Sequence, residues 1–240
     1  LPAEAEYKFE EEVTVAGDAT APGYTFSGWD KEDFTMPAED IELTASATAN
    51  VYGVKYNANT GSGAINPGSV AYNGTIDLDS AIALTKVGYT FIGWAYKAGD
   101  TTPVYAKEGL TGISGQTIIE GYNTAYSASS YDSREITLYA VWEANTNTAY
   151  IVNHYKQGFE ENYYPDTLKE TETLHGTTGV LTEAVAKTTY EGFTKVDFSQ
   201  TNIAGDGSTV VNIYYTRNKY SATINVNNET MGSAGTTGTY

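Results

Sequence analysis

Large apolar side chains alternate with polar ones over short runs of this chain, which is the pattern of half-buried β-strands. The pattern is clearest in a seven-residue motif, Gly-aromatic-Thr-aromatic-x-Gly-Trp, at Gly23–Trp29 and again at Gly88–Trp94, with a divergent third copy at Gly192–Phe198. The Gly before each Trp predicts a β-bulge or a close approach of two backbone segments. The chain is therefore predicted to consist of consecutive similar modules.

Each copy of the motif is followed by a second predicted strand, at Ile41–Ala45, Ile136–Trp142 and Val210–Tyr215. The last motif residue and the start of this closing strand are 12 positions apart in the first and third copies and 42 apart in the second. The second copy therefore carries an insertion, roughly residues 97–133. A helical turn or two is predicted before the insertion, at Asp77–Leu84. Because the other two copies join the same strands without an insertion, we expect it to be dispensable for folding.

We predict a mainly β (α+β) fold of small tandem modules arranged end to end. The predicted modules are a partial one at 1–50, a complete one at 51–146, a third at 147–218 and the start of a further one at 219–240. Short hinges centred on Asn50, Asn145 and Asn218 join them and favour a semi-rigid, elongated monomer. The expected structural core consists of the recurrent aromatic residues Tyr24, Phe26, Trp29, Tyr89, Phe91, Trp94, Trp142, Phe193 and Phe198.

Composition and charge narrow the class of protein. Tyr occurs 21 times and Cys is absent, which suits a strand-rich protein and excludes disulfides and thiolate chemistry. The formal net charge is −17, and the first 50 residues hold 12 acidic and 2 basic side chains, so nucleic acid and anionic membranes are poor partners. No apolar run is long enough to span a membrane. Because a new strand begins at Tyr220, we expect the chain to be a segment of a longer protein.

The chain lacks the motifs of the common enzyme classes, and we predict no catalytic residues, no cofactor and no metal site. Its two histidines, His154 and His175, cannot form a three-His centre, and His154 is expected to be structural because it lies in a predicted strand. The acidic runs, such as Glu10–Glu12, are expected to be solvated charge. Lys8 and Lys55 face away from the apolar side of their strands, which argues against an intramolecular Lys–Asn isopeptide bond.

The insertion contains the best candidates for ligand binding. Tyr105, Tyr122, Tyr126 and Tyr131 lie there among Gly, Ser, Thr and Asn, a composition that suits recognition of glycans or proteins. The alternative is that these tyrosines pack an enlarged core.

The motif at Gly88–Trp94, with the closing strand Ile136–Trp142 and the preceding Tyr56–Gly61, resembles the internalin-type B repeat, also called the Listeria/Bacteroides repeat, of bacterial surface proteins. Residues 150–215 are similar to the mucin-binding-protein type of repeat. The resemblance implies β-grasp-like modules in a secreted or wall-attached protein, without shared catalytic residues.

The expected function is a non-catalytic tandem-repeat stalk or adhesion region at the bacterial cell surface, whose partners are a host glycoprotein, a glycan or another surface protein. One alternative is a carbohydrate- or mucin-binding module acting through the Tyr-rich insertion. Another is an accessory region of a large secreted hydrolase.

Overall fold

The computed structural model describes residues 5–81, 83–127 and 135–223. Tyr131 and most of the predicted fourth module lie outside these ranges. The chain divides into two compact units, one of Leu1–Lys86 with Phe91–Glu143 and one of Val87–Thr90 with Ala144–Tyr240. The described residues are mainly β-structure in several small sheets, which confirms the predicted fold class.

The first 50 residues form two separate strand pairs. The strands are β1 (Glu12–Val13), β2 (Tyr24–Trp29), β3 (Phe34–Thr35) and β4 (Ala45–Ala49). β1 pairs with β3, and β2 pairs antiparallel with β4. The register of the second pair shifts between Phe26 and Gly28, so the predicted bulge before Trp29 is confirmed. The closing strand was placed wrongly at Ile41–Ala45, because Trp29, the last residue of β2, pairs with Ala45 and the ladder runs from there to Ala49.

The largest sheet among the described residues lies within residues 51–144. The elements of this segment are β5 (Val51–Asn57), β6 (Gly68–Ala71), β7 (Thr75–Ile76), β8 (Tyr89–Ala95), β9 (Tyr105–Ala106), β10 (Ile113–Ser114), helix α1 (Gly115–Tyr126) and β11 (Glu135–Ala144). Five strands are ordered β6-β5-β11-β8-β9, with β5 and β11 parallel at the centre. β7 and β10 form a separate antiparallel pair.

Helix α1 occupies the segment that the sequence treats as an insertion. Its N-terminus is capped by Ser114, whose Oγ accepts a hydrogen bond from the Thr117 N–H (3.4 Å), and it ends at Ser127 in the left-handed conformation. Ile118 and Ile119 are fully buried and belong to the core of the first unit. The insertion is therefore part of the core of the module.

The helical turn predicted at Asp77–Leu84 is wrong for the described residues of that segment. Leu78 and Ala81, which were expected on the apolar side of this turn, are buried, and the third such residue, Ile82, lies outside the described residues. The described backbone at 77–81 and 83–84 is not helical. The Asp79 carboxylate accepts a hydrogen bond from the Ala81 N–H (2.7 Å), and Ala81 has φ +58°. This local side-chain bond competes with the helical hydrogen-bond pattern.

The second unit contains one four-stranded sheet among its described residues. Its strands are β12 (Thr148–Lys156), β13 (Lys169–Gly176), β14 (Phe193–Lys195) and β15 (Val210–Arg217). The order is β13-β12-β15-β14, with β12 and β15 parallel and the outer strands antiparallel to their neighbours. In chain order this arrangement is the same as that of β5, β6, β8 and β11. The two modules therefore share one topology, with a parallel central pair formed by the first and last strands.

The recurrent aromatic residues are buried to different degrees. Trp94 and Phe91 are buried, and Trp142 is half-buried with its indole N–H donating to the Ala58 carbonyl (2.8 Å). The others are half-buried: Tyr24, Phe26, Trp29, Tyr89, Phe193 and Phe198. Most of the motif therefore lines the edge of a small core.

Candidate binding surface and module junctions

His154 lies in the core of the second unit and forms hydrogen bonds there. Its side chain is fully buried, with Nδ1 2.8 Å from the Tyr215 hydroxyl and Nε2 2.7 Å from a Glu172 carboxylate oxygen. The Tyr215 oxygen also accepts the Lys187 backbone N–H (2.8 Å), so its own hydrogen is free to donate to Nδ1. Nε2–H then donates to Glu172.

This network satisfies polar groups inside the core and leaves no hydroxyl aimed at solvent. Tyr215 is buried, and burial raises the pKa of its hydroxyl. No group of three or more His, Cys, Asp or Glu residues able to hold a metal ion occurs in the part of the chain that the structure describes. His154 is therefore positioned as a core residue.

Tyr105, one of the four tyrosines predicted to bind a ligand, lies in the core. It is buried and its hydroxyl is 2.5 Å from that of Tyr96, which also donates to the Ile118 carbonyl of helix α1 (3.0 Å). A side chain on Gly121 would collide with the Tyr96 ring, so this glycine lets the helix approach the tyrosine pair. Burial raises the pKa of both hydroxyls. Tyr105 is thus placed to pack the helix, and a surface ligand cannot reach it.

Tyr122 and Tyr126 lie on α1 nearer the surface. Their rings are 4.7 Å apart, Tyr122 is half-buried and Tyr126 is 45% exposed. The Tyr126 hydroxyl donates to the Tyr96 carbonyl (2.6 Å), and the Lys97 ammonium lies 5.7 Å from the Tyr126 ring centroid. We call Lys97, Tyr122 and Tyr126 the helix patch. It holds two of the four predicted tyrosines, while the position of Tyr131 is not described.

The outer face of the sheet in the second unit has a second group of tyrosines. The rings of Tyr155 on β12 and Tyr214 on β15 stack at 5.2 Å with an interplanar angle of 17°. Lys169 lies over Tyr155 (5.7 Å), and the Tyr164 ring meets Tyr214 edge-on (4.9 Å). These contacts cover part of the ring surfaces, and Tyr214 remains 37% exposed. Sequence reasoning missed this group, although strand alternation in β12 and β15 could have indicated it.

The clearest recurrent geometry lies at the module junctions. The backbone N–H of Asn50 donates to the Gly23 carbonyl (2.9 Å), and the Thr25 hydroxyl donates to the Asn50 Oδ1 (2.6 Å). The Asn50 carbonyl in turn accepts the Tyr72 N–H (2.9 Å), and the Tyr24 and Tyr72 rings meet edge-on at 5.5 Å. We call this set of three hydrogen bonds the Asn clamp.

The clamp is repeated within the second unit. Asn145 N–H donates to the Gly88 carbonyl (2.9 Å), Thr90 Oγ1 donates to the Asn145 Oδ1 (2.9 Å), and the Asn145 carbonyl accepts the Thr178 N–H (3.0 Å). The Gly and Thr of the repeated motif and the hinge Asn therefore act together at both positions. The sequence shows each of these residues, but their pairing requires the β-ladder that brings them side by side.

Repetition of a small mainly β module with a Gly-aromatic-Thr motif defines the chain as a tandem-repeat protein. Residues 2–50 and 52–119 match the family model of the Listeria-Bacteroides repeat domain. The resemblance to this repeat family is therefore confirmed for these two segments.

Together with this family match, two curated relatives place the chain among bacterial surface repeat proteins. The chain is 40% identical over 90 residues to Internalin H of Listeria monocytogenes, and this alignment covers 32% of the chain and 16% of the relative. The chain is also 26% identical over 183 residues to a Gly-rich membrane protein of Evansella cellulosilytica, and this alignment covers 69% of the chain and 18% of the relative. The aligned part is thus less than a fifth of either relative. Among the described residues, no helix has the length and apolarity to cross a membrane.

Proposed function

We propose that this chain is a non-catalytic tandem-repeat stalk or adhesion region of an extracellular bacterial surface protein. The observation that carries the proposal is the Asn clamp. Two of its hydrogen bonds fix Asn50 against Gly23 and Thr25 of the first module, while the third, from the Tyr72 N–H, and the Tyr24–Tyr72 ring contact reach the second module. A stalk needs joints that hold successive modules in one arrangement, because a flexible tether would not maintain spacing. Buried Asn50 and its partners supply such a joint within the first unit.

The test measures distances across this joint. The chain has no Cys, so spin labels can be attached at Ser46→Cys in β4 and Lys97→Cys beyond β8 without background labelling. We expect a narrow distance distribution for the parent and a broad one for Asn50→Ala. Asn66→Ala, in an exposed loop, is the control and should leave the distribution unchanged. A broad distribution in the parent would contradict the proposal.

A second candidate function is carbohydrate or mucin binding through the helix patch. The supporting observation is the partly exposed Tyr126 ring beside Lys97, since aromatic rings and cations provide amphipathic contact area for sugars and proteins. Binding of the full chain to a glycan array and to immobilised mucin tests this function. Tyr126→Ala should abolish the signal, whereas Tyr163→Ala, an exposed tyrosine of the second unit, should not. Absence of any signal for the parent would leave the spacer role alone.

A further inference from the structure

The first and last strands of each of the two larger modules lie side by side and run in the same direction. β5 pairs with β11 over five residues, and β12 pairs with β15 over six. In a parallel pair both strands begin at the same end. The chain therefore enters each module at one end of its central pair and leaves the module at the opposite end.

This arrangement determines how tension along the chain would act on each pair. Force that pulls the start of the first strand away from the end of the last strand is directed along the strands, so it shears them past each other. The hydrogen bonds of a parallel ladder are evenly spaced, so shear loads all of them together. Pulling the strands apart from their shared end loads one bond at a time. Shear therefore meets the higher barrier, and this barrier governs the rate of forced unfolding.

Side chains lengthen the ladder between β5 and β11. Beyond the end of β5, Asn59 Nδ2 donates to the Ala140 carbonyl (2.8 Å), and the Trp142 indole N–H donates to the Ala58 carbonyl (2.8 Å). Both hydrogen bonds join the segment after the first strand to the last strand. They therefore add to the set of bonds that shear has to break.

A different set of side chains lengthens the ladder between β12 and β15. The Gln157 N–H donates to the Tyr215 carbonyl (2.9 Å), and Gln157 Oε1 accepts the Arg217 N–H (2.8 Å). The Arg217 guanidinium donates to the carbonyls of Gln157 (3.2 Å) and Gly158 (3.3 Å). The two modules thus extend the same part of the same strand pair with unrelated residues.

We propose that the pairs β5–β11 and β12–β15 are tension-bearing elements, each loaded in shear when the chain is pulled lengthwise. The further function is mechanical, because the modules stay folded under a pulling force that would open the same strand pair from one end. This inference deepens the proposed function and rests on it, since tension arises where a stalk or adhesion region connects a bacterial surface to a partner.

Single-molecule pulling of the full chain in two directions tests the proposal on the second unit. The chain has no Cys, so handles can be attached at chosen positions. Asn147→Cys with Lys219→Cys pulls β12 and β15 in shear, whereas Asn147→Cys with Ser208→Cys pulls them apart from their shared end, and all three positions are exposed. We expect the unfolding force in shear to be several-fold higher. Similar forces in the two directions would overturn the proposal.

Gln157→Ala provides a second readout in the same two directions. It removes the acceptor of the Arg217 N–H, so the unfolding rate in shear at a fixed force should rise roughly two- to tenfold, the range expected for loss of one hydrogen bond. The rate from the shared end should not change, because the strands separate there before Gln157 is reached. Glu161→Ala, in an exposed turn, is the control and should change neither rate. An equal rise in both directions would overturn the role of these side chains in shear.

Failure of this inference and failure of the proposed function give different results. The spin-label experiment measures the joint at Asn50, whereas pulling measures a sheet within the second unit. A narrow distance distribution with equal unfolding forces would retain the stalk and overturn tension bearing. A broad distribution with unequal forces would contradict the stalk and leave the shear resistance of the sheet in place.

Discussion

The same residue of the repeated motif has different surroundings in two modules. Trp94 is fully buried, its indole N–H donates to the Asp79 carbonyl (2.7 Å), and its ring lies 4.8 Å from Tyr56 and 5.1 Å from Phe91. Trp29 is only half-buried, and its N–H donates to the Ala16 carbonyl (2.9 Å). The difference arises because a five-stranded sheet and a helix surround Trp94.

Trp94→Ala should therefore destabilise its unit strongly. Loss of a fully buried Trp costs about 3–5 kcal/mol through lost burial and the cavity left behind. Trp29→Ala is the matched control and should cost clearly less. Urea unfolding followed by circular dichroism measures both, and similar losses for the two variants would contradict the structure.

The Thr of the motif also has a specific consequence in the clamp. Thr25→Val keeps the shape of the side chain but removes the hydroxyl that donates to Asn50 Oδ1 (2.6 Å). A side-chain hydrogen bond contributes about 0.5–1.5 kcal/mol net to the free energy of unfolding, so Thr25→Val should lower that free energy by a similar amount. Thr20→Val, at an exposed position outside the strands, should be neutral in the same unfolding measurement.

At the scale of elements, strand β13 is stabilised by charge at Glu170. Its carboxylate lies 2.8 Å from the Lys156 ammonium and 3.2 Å from the Lys187 ammonium, and it accepts the Tyr190 hydroxyl (2.7 Å). The hydrogen bonds from Lys156 and Tyr190 lower the pKa of Glu170 to about 2. Because the side chain is 45% exposed, solvent screening keeps its contribution to stability modest.

This lowered pKa gives a pH dependence with a definite sign. The folded state holds Glu170 ionised to a lower pH than the unfolded state, so its contribution is complete above about pH 4.5 and is lost as the pH falls towards 2. Glu170→Gln should lower the melting temperature at pH 6, and the difference from the parent should shrink towards pH 2. Glu160→Gln, in an exposed turn, is the control. A constant difference across this range would contradict the assignment.

At the scale of the molecule, the segment between β8 and β11 supplies part of the hydrophobic core of the first unit. The first module joins β2 to β4 through a short connector, which suggested that the longer segment was dispensable. The structure places Ile118 and Ile119 of α1 in the core, against the sheet that contains Trp94. The extra residues therefore enlarge the core.

Replacing Lys97–Ser133 with the Asp30–Asp40 connector should unfold the first unit, because it removes all of helix α1. Ile118→Ala provides the finer variant, with an expected loss of about 2–5 kcal/mol. Hydrogen exchange should show lost protection in β5 and β11, with β12 and β15 of the second unit unaffected. Retained protection in β5 would show that the helix is dispensable.

The sequence alone determined the repetition, the strand-rich class and the position of the bulge at Gly28. These features follow from local patterns, since alternation and glycine placement act through the backbone of a few consecutive residues. The family resemblance was also visible, because it rests on contiguous motif residues in the two matched segments.

Tertiary structure decided the rest. The sequence did not distinguish buried Tyr105 from partly exposed Tyr126, because both lie in a polar, Gly-containing stretch and only packing on α1 separates them. The first closing strand began later than predicted because its bounds depend on pairing with β2. Likewise, Thr25 and Asn50 are 25 positions apart, and only the antiparallel ladder between β2 and β4 brings the hydroxyl and the amide oxygen within hydrogen-bonding distance.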